Sequence, residues 1–217
     1  MPDPLPQFLL VTPPLDDPAA ADGALATALD ALLTGLGDPL EYGLSVLLLR
    51  DSALDDDAHL ERATPLLLRA QAAGVAVLFE NRIHLLDTSG ADGVHLAPGE
   101  EPGAVKALRR RLGEGVILGA ACGASRHAAM LAGEEGADYV AFGALDGSEA
   151  ADPELVGWWA RSMTPPLVAC GARDLAAVQS FAAAGADFIA LNPDLWLQED
   201  DPLPAFTALS KAAGHNL

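Results

Sequence analysis

The sequence predicts an α/β protein, a single-domain (β/α)8 TIM barrel spanning residues 1–217, on three observations. Short runs rich in Val, Leu, Ile and Phe recur at eight places along the chain. Between them lie Ala- and Leu-rich stretches of helical length. One phrase also returns three times, as "GADGVHL" at 90–96, "GADYVAF" at 136–142 and "GADFIAL" at 185–191, each time joining a helix-like stretch to an apolar run.

In chain order the predicted strands are "FLLVT" (8–12), "SVLLLR" (45–50), "VAVLF" (75–79), "GVHL" (93–96), "VILGA" (116–120), "YVAFG" (139–143), "PLVAC" (166–170) and "FIAL" (188–191). None alternates polar with apolar residues, as expected of strands covered on both faces of a parallel sheet. Among the helices, "DGALATALDALLTGLG" carries apolar residues at helical spacing, and "HLERATPLLLRAQAAG" closes on Gly74. "DLAAVQSFAAAG" opens on Asp174 as an N-cap and ends on Gly185. A doubly wound open sheet is the alternative, but no G-x-G-x-x-G follows the first strand, where "VTPPLDDP" stands. The repeated phrase reads as a joint. Its Gly ends a helix in the left-handed conformation, its Ala packs closely, and its Asp precedes a strand entering the barrel floor. Such positions serve stability rather than chemistry.

With 31 acidic against 12 basic residues the net charge is −19, and only Lys106 and Lys211 are lysines. So acidic a surface repels nucleic acid and anionic membranes, so neither is an expected partner. The start, "MPDPLPQ", has no basic segment or long apolar run, and no stretch approaches the roughly 20 apolar residues of a membrane span. A cytoplasmic protein is expected. Two cysteines provide no disulfide framework. Apolar helix faces leave a homodimer open.

Chemistry in a barrel gathers in the loops after the C-terminal strand ends. Arg50 is the cation at the tip of strand 2, followed by Asp51, Asp55, Asp56 and Asp57. Arg50 and Arg82 can clamp a phosphate or pyrophosphate, and Glu80 or Glu100 can hold Mg2+; pairing with local acids at the rim is the plainer reading of both arginines. "CGARD" after strand 7 offers the backbone N–H groups of Gly171 and Ala172 to a phosphate. After strand 8, Asn192 precedes Pro193, which has no N–H to give. Cys122 and Cys170 end strands 5 and 7, where either can face the mouth or act as a small buried hydrophobe. No histidine pair has metal-ligand spacing, and there is neither a serine nucleophile elbow nor a Walker loop.

The stretch "AVLFENRIHLLDTSGADGVHLAPGEE" resembles the strand 3–strand 4 segment of the thiamine-phosphate synthase and thiazole tautomerase family, close to I-N-D-R-V-D-L-A-x-x-x-G-A-D-G-V-H-L-G-Q-x-D. "GADYVAFG" and "PLVACGARDLAAVQSFAAAGADFIAL" resemble its later segments, G-A-D-Y-V-G-x-G and P-x-V-A-I-G-G-I with a following helix. The likeness runs continuously from about residue 44 to 192. It implies a barrel that joins a hydroxymethylpyrimidine pyrophosphate to a thiazole phosphate. Mg2+ assists departure of pyrophosphate, and the thiazole nitrogen captures a pyrimidine carbocation.

Several family positions differ here. In the strand-2 pattern Q-L-R-x-K, Arg50 is kept, while Leu48 and Ser52 replace the glutamine and the pyrophosphate lysine. N-D-R becomes Glu80-Asn81-Arg82, so an amide replaces one metal aspartate, and Glu100 stands for the second. Ala121 replaces the strand-5 serine, beside Cys122, and G-G becomes Gly171-Ala172. The strand-6 loop, "GALDGSEAADP", contains no lysine or arginine where the family has T-x-T-K. Where the tautomerases place a histidine stands Gly123, with His127 four residues on. The resemblance thus implies a small phosphorylated ligand at the mouth, held by Arg50, Asn81, Cys122, Gly171, Ala172 and Asn192, with Arg50 and Arg82 in catalytic places and Glu100 for the metal. It also implies impaired synthase catalysis. A non-catalytic binding or regulatory barrel of the same descent is the alternative.

Overall fold

A computed structural model describes residues 4–98, 103–197 and 201–215. Eight parallel strands close into a barrel in sequence order: β1 (Gln7–Val11), β2 (Leu44–Leu49), β3 (Ala76–Glu80), β4 (Gly93–Leu96), β5 (Ile117–Gly123), β6 (Tyr139–Phe142), β7 (Leu167–Ala169) and β8 (Phe188–Leu191). The helices are α1 (Ala24–Leu36), α2 (Asp56–Ala72), α3 (Leu86–Ser89), α4 (Ala104–Leu112), α5 (Arg126–Glu134), α6 (Pro153–Ser162), α7 (Leu175–Ala184), α8 (Pro193–Trp196) and α9 (Leu203–Ala212). The seam is closed by β1 on β8, with Gln7 opposite Phe188 and Leu10 opposite Leu191.

Both faces of each strand are buried, which explains the absent alternation. Leu9, Val11, Leu48, Leu78, Ala141, Val168 and Ala190 pack together in the barrel interior. Their neighbours Phe8, Leu10, Leu47, Leu49, Val77, Phe79 and Phe142 turn outward against the helices. Successive side chains on a strand point to opposite faces, so the two cores interleave along one continuous apolar run.

Helix starts follow their caps. Asp55, Ser125, Asp152 and Asp174 accept N–H bonds from Ala58, Ala128, Glu154 and Ala177 at the heads of α2, α5, α6 and α7. α2 begins at Asp56, ahead of the helical stretch read from His59, because Asp55 caps it and Asp56 and Asp57 suit the positive end of the helix.

The three joints carry one hydrogen-bond pattern. Asp92, Asp138 and Asp187 accept the backbone N–H of Val77, Leu118 and Leu167 at 2.7, 2.7 and 2.9 Å. Each carboxylate thereby holds the start of the preceding strand at the barrel floor. Gly90, Gly136 and Gly185 all sit at positive φ (74, 99 and 92°), as a left-handed helix end requires. Among the described residues no helix is long and apolar enough to cross a membrane.

Candidate functional site

At the C-terminal ends of the strands, polar side chains replace the apolar core. Thr12, after β1, is buried and accepts the Arg50 N–H through its hydroxyl at 3.1 Å. Arg50 lies largely buried, and its Nε donates to Glu80 Oε2 at 2.7 Å. The same carboxylate oxygen accepts the Asp51 N–H at 3.0 Å. Neither terminal nitrogen of Arg50 meets a protein acceptor among the described residues. The guanidinium is therefore oriented through one edge and keeps the other for an incoming acceptor.

Arg82 is arranged in the opposite way. Its Nε donates to Asp51 at 2.7 Å and Nη1 to Asp56 at 2.8 Å, while Nη2 donates to the carbonyls of Ser52 at 2.9 Å and Leu54 at 2.7 Å. The charge is matched and the fork filled, and the loop between β2 and α2 is clasped onto the end of β3. His84 reinforces the clasp on Asp56, and its hydrogen bond is the leading cause that holds the Asp56 carboxyl below its ordinary range. Ser52, in the place of the family's lysine, bonds its hydroxyl to His59 Nδ1 at 3.2 Å.

Asn81 adopts φ 59°, the left-handed region that asparagine tolerates better than most residues. Its Oδ1 accepts the Ala97 N–H at 2.8 Å, tying the chain after β4 to the end of β3. Glu100 lies outside the described residues. Among the described residues, no group of three or more His, Cys, Asp or Glu could hold a metal ion. Asn81 Oδ1 is committed to a backbone N–H, and Glu80 is committed to Arg50, so these side chains do not form a ready metal seat.

Cys122 is turned outward, packing in the outer core with Leu118 and Ala120. Its thiol donates to the Ala120 carbonyl, and burial pushes its pKa up to about 11. Of the two roles open to Cys122, the small buried hydrophobe is the one seen rather than a group facing the mouth: Leu118, Ala120 and Cys122 alternate along β5 onto the same outward face. Cys170 does face the interior, where burial raises its thiol to about 12.

The loop between β6 and α6 folds over the mouth. Leu145 packs with the interior core and is 8% exposed. With its amide oriented to satisfy both neighbours, Asn192 donates to the Leu145 carbonyl at 3.0 Å and accepts the Gly147 N–H at 2.9 Å. Asp146 accepts both the N–H and the hydroxyl of Ser148, at 2.9 and 2.6 Å. These bonds, aided by the charge of Arg50, hold the Asp146 carboxyl below its ordinary range. Arg173 reaches this loop from the far side, donating to the carbonyls of Gly147 and Ser148 at 3.2 and 3.4 Å.

Gly171, at φ 81°, lies against the backbone of Glu149 and Ala150, where a Cβ would stand 2.4 Å from the Glu149 carbonyl oxygen. None of Gly171, Ala172 and Arg173 donates its N–H to another backbone carbonyl among the described residues. Sequence reasoning reached Arg50, Asp146, Gly171 and Ala172 here, but passed over Thr12 and Arg173. The legible signal for Arg173 was a lone cation directly following the two candidate phosphate-binding residues.

Below the mouth, His95 and Tyr139 share a buried hydrogen bond of 2.7 Å inside the barrel. Space for the pair comes from Gly119, where a Cβ would lie 2.0 Å from the Tyr139 ring. Burial depresses His95 to about 4, helped by the Arg50 charge, and raises the Tyr139 hydroxyl well above its ordinary value.

The fold and this convergence of polar groups define an α/β barrel with its candidate site at the C-terminal mouth. The family model for thiamine monophosphate synthase matches residues 9–194. The thiamine-phosphate synthase of Rhodospirillum centenum is 39% identical over 205 residues, covering 92% of this chain and 93% of the relative. That of Hyphomonas neptunium is 38% identical over 216 residues, covering 96% and 94%. Among solved structures, a thiamine phosphate pyrophosphorylase from Pyrococcus furiosus matches with a TM-score of 0.76 at 20% identity, covering 95% of each chain. The chain belongs to the thiamine monophosphate synthase family.

Proposed function

We propose that this chain serves thiamine biosynthesis by binding a thiazole phosphate or a pyrimidine pyrophosphate at the barrel mouth, anchored by Arg50, with impaired synthase turnover. The observation that carries the reading is the half-used guanidinium of Arg50, held through Nε by Glu80 and unpartnered at both terminal nitrogens among the described residues. A planar fork fixed along one edge is suited to bidentate capture of a phosphate on the other. The N–H groups of Gly171 and Ala172, without a backbone acceptor among the described residues, supply a second set of donors for a phosphoryl group.

In this reading Arg82, Asn81 and Asn192 are positioning residues. Arg82 holds the β2–α2 loop from which Asp51 meets Glu80, Asn81 holds the end of β4, and Asn192 holds the β6–α6 loop. Cys122, in the outer core, has no contact with ligand in this reading. The family implies Mg2+, which would neutralise a departing pyrophosphate, but the described side chains do not fit it and no step is assigned through it.

Turnover suffers because charge stabilisation is thin. Departure of pyrophosphate concentrates negative charge, and losing one positioned donor costs about 10²–10³ in rate. Ser52 stands where the family has a lysine, and the β6–α6 loop brings Asp146 into the field of Arg50 instead of a cation. The second reading, a non-catalytic binding barrel, is favoured by the packing of Leu145 into the interior core and of Glu149 and Ala150 onto Gly171.

Calorimetric titration with hydroxymethylpyrimidine pyrophosphate and Mg2+, then with thiazole phosphate, tests the binding claim. Micromolar affinity for either, lost in Arg50→Ala, is the expected result. No heat with either ligand would reject it.

A further inference from the structure

We propose that Arg173 is a second phosphate-contacting residue of this mouth, acting with Arg50 to hold a multiply charged phosphoryl group. The inference rests on the Arg50 reading above and extends it to a residue that neither the family motifs nor the sequence singled out. In the segment resembling P-x-V-A-I-G-G-I, Arg173 takes the place of the final isoleucine. The chain therefore has a cation there that the motif does not call for.

Three features support the assignment. In a chain with 31 acidic residues, Arg173 forms no ion pair among the described residues, and its recorded partners are two neutral carbonyls at 3.2 and 3.4 Å. Arg62, Arg110, Arg111, Arg126 and Arg161 likewise form no ion pair among the described residues, so what sets Arg173 apart is its position beside the two candidate phosphate-binding residues. Second, Arg173 directly follows Gly171 and Ala172, whose N–H groups have no backbone acceptor among the described residues. Third, the loop tip at 146–148 touches Arg173 and lies within the field of the Arg50 charge. Asp146 feels the charge of Arg50, and the carbonyls of Gly147 and Ser148 hold Arg173. A phosphoryl group entering this space would exchange weak neutral acceptors for charged ones, the stronger kind of hydrogen bond.

A clasp on the loop is the competing role for Arg173, so the test separates charge from clasping. Inorganic pyrophosphate is titrated calorimetrically into wild type, Arg173→Gln, Arg173→Lys and Arg50→Ala, with the melting temperature of each recorded. The glutamine can still donate to carbonyls but carries no charge. Expected are about tenfold weaker binding in Arg173→Gln, near-wild-type binding in Arg173→Lys, and a weaker dependence on salt in the glutamine variant. Wild-type affinity in Arg173→Gln would overturn the proposal. Equal losses in both substitutions, with a lowered melting temperature, would assign Arg173 to clasping and also overturn it. If Arg50→Ala loses binding while Arg173→Gln keeps it, the Arg50 anchor stands and this inference falls. If only Arg173→Gln loses binding, the Arg50 anchor falls, and with it the joint hold by two arginines proposed here. No heat from the wild type would reject both.

Discussion

At adjacent strand ends, Arg50 and Arg82 look equivalent in the sequence, and their hydrogen bonds separate them. Arg82 spends its fork on Asp51, Asp56 and two carbonyls, whereas Arg50 spends only Nε on Glu80. Arg50→Ala should therefore weaken phosphorylated-ligand binding by about 1.5–3 kcal/mol, ten- to a hundredfold, and also lower stability, because it leaves the buried Glu80 carboxylate without its cation. Arg82→Ala should lower stability by about 1–3 kcal/mol through stranded loop acceptors, measurable as an earlier denaturant midpoint. A second residue-scale effect concerns pH. His95 titrates at about 4 in the fold but near 6.5 in the unfolded chain. Below pH 6.5 the unfolded chain takes up a proton that the folded one refuses, so stability falls as pH drops toward 4 and rises again on neutralisation. The loss approaches about 3 kcal/mol, and His59, also depressed to about 4 with burial as the first cause, acts in the same direction. Urea midpoints at pH 7 and pH 4.5 should show it, and His95→Gln should flatten the pH slope.

Among the elements, the three Gly-Ala-Asp joints were legible because their chemistry is local. A left-handed glycine must end the helix, and an aspartate next to a strand start is in reach of a floor N–H. The partner strand was not legible, since it comes from the fold: Asp138 serves Leu118 of β5 and is also bonded by Arg109. Asp138→Ala should strand that buried N–H and lower stability by about 1–3 kcal/mol, seen as a melting point several degrees lower. Ligand affinity at the opposite end of the barrel should be unchanged. The end of β5 shows where sequence reading fails. Runs buried on both faces carry no polar–apolar period to reveal which residue points inward, so nothing in the run showed that Cys122 shares the outward face of Leu118 and Ala120. The β6–α6 loop was visible as uncharged by lysine or arginine, but its seat on the mouth required Leu145, Asn192 and Arg173 to meet from three separate elements.

Taken as a molecule, the chain combines a fully formed barrel with a mouth short of positive charge. The eight strands and their order were predictable because each unit repeats the same local pattern, and closure follows from repetition. The site was only partly predictable: Glu80, Asp51 and Asp56 were visible as acids, while their choice of arginine depends on loops meeting in space. On the proposed reading, anionic ligands reach a chain with a net charge of −19 through the few donors the mouth retains. The measurement that tests this account most directly is product formation from hydroxymethylpyrimidine pyrophosphate and thiazole phosphate at saturating Mg2+, alongside a family member that carries both pyrophosphate lysines. The account predicts ligand binding with turnover at least about a hundredfold slower than that reference. Turnover equal to the reference would contradict it and show that the mouth already holds all the charge the reaction needs.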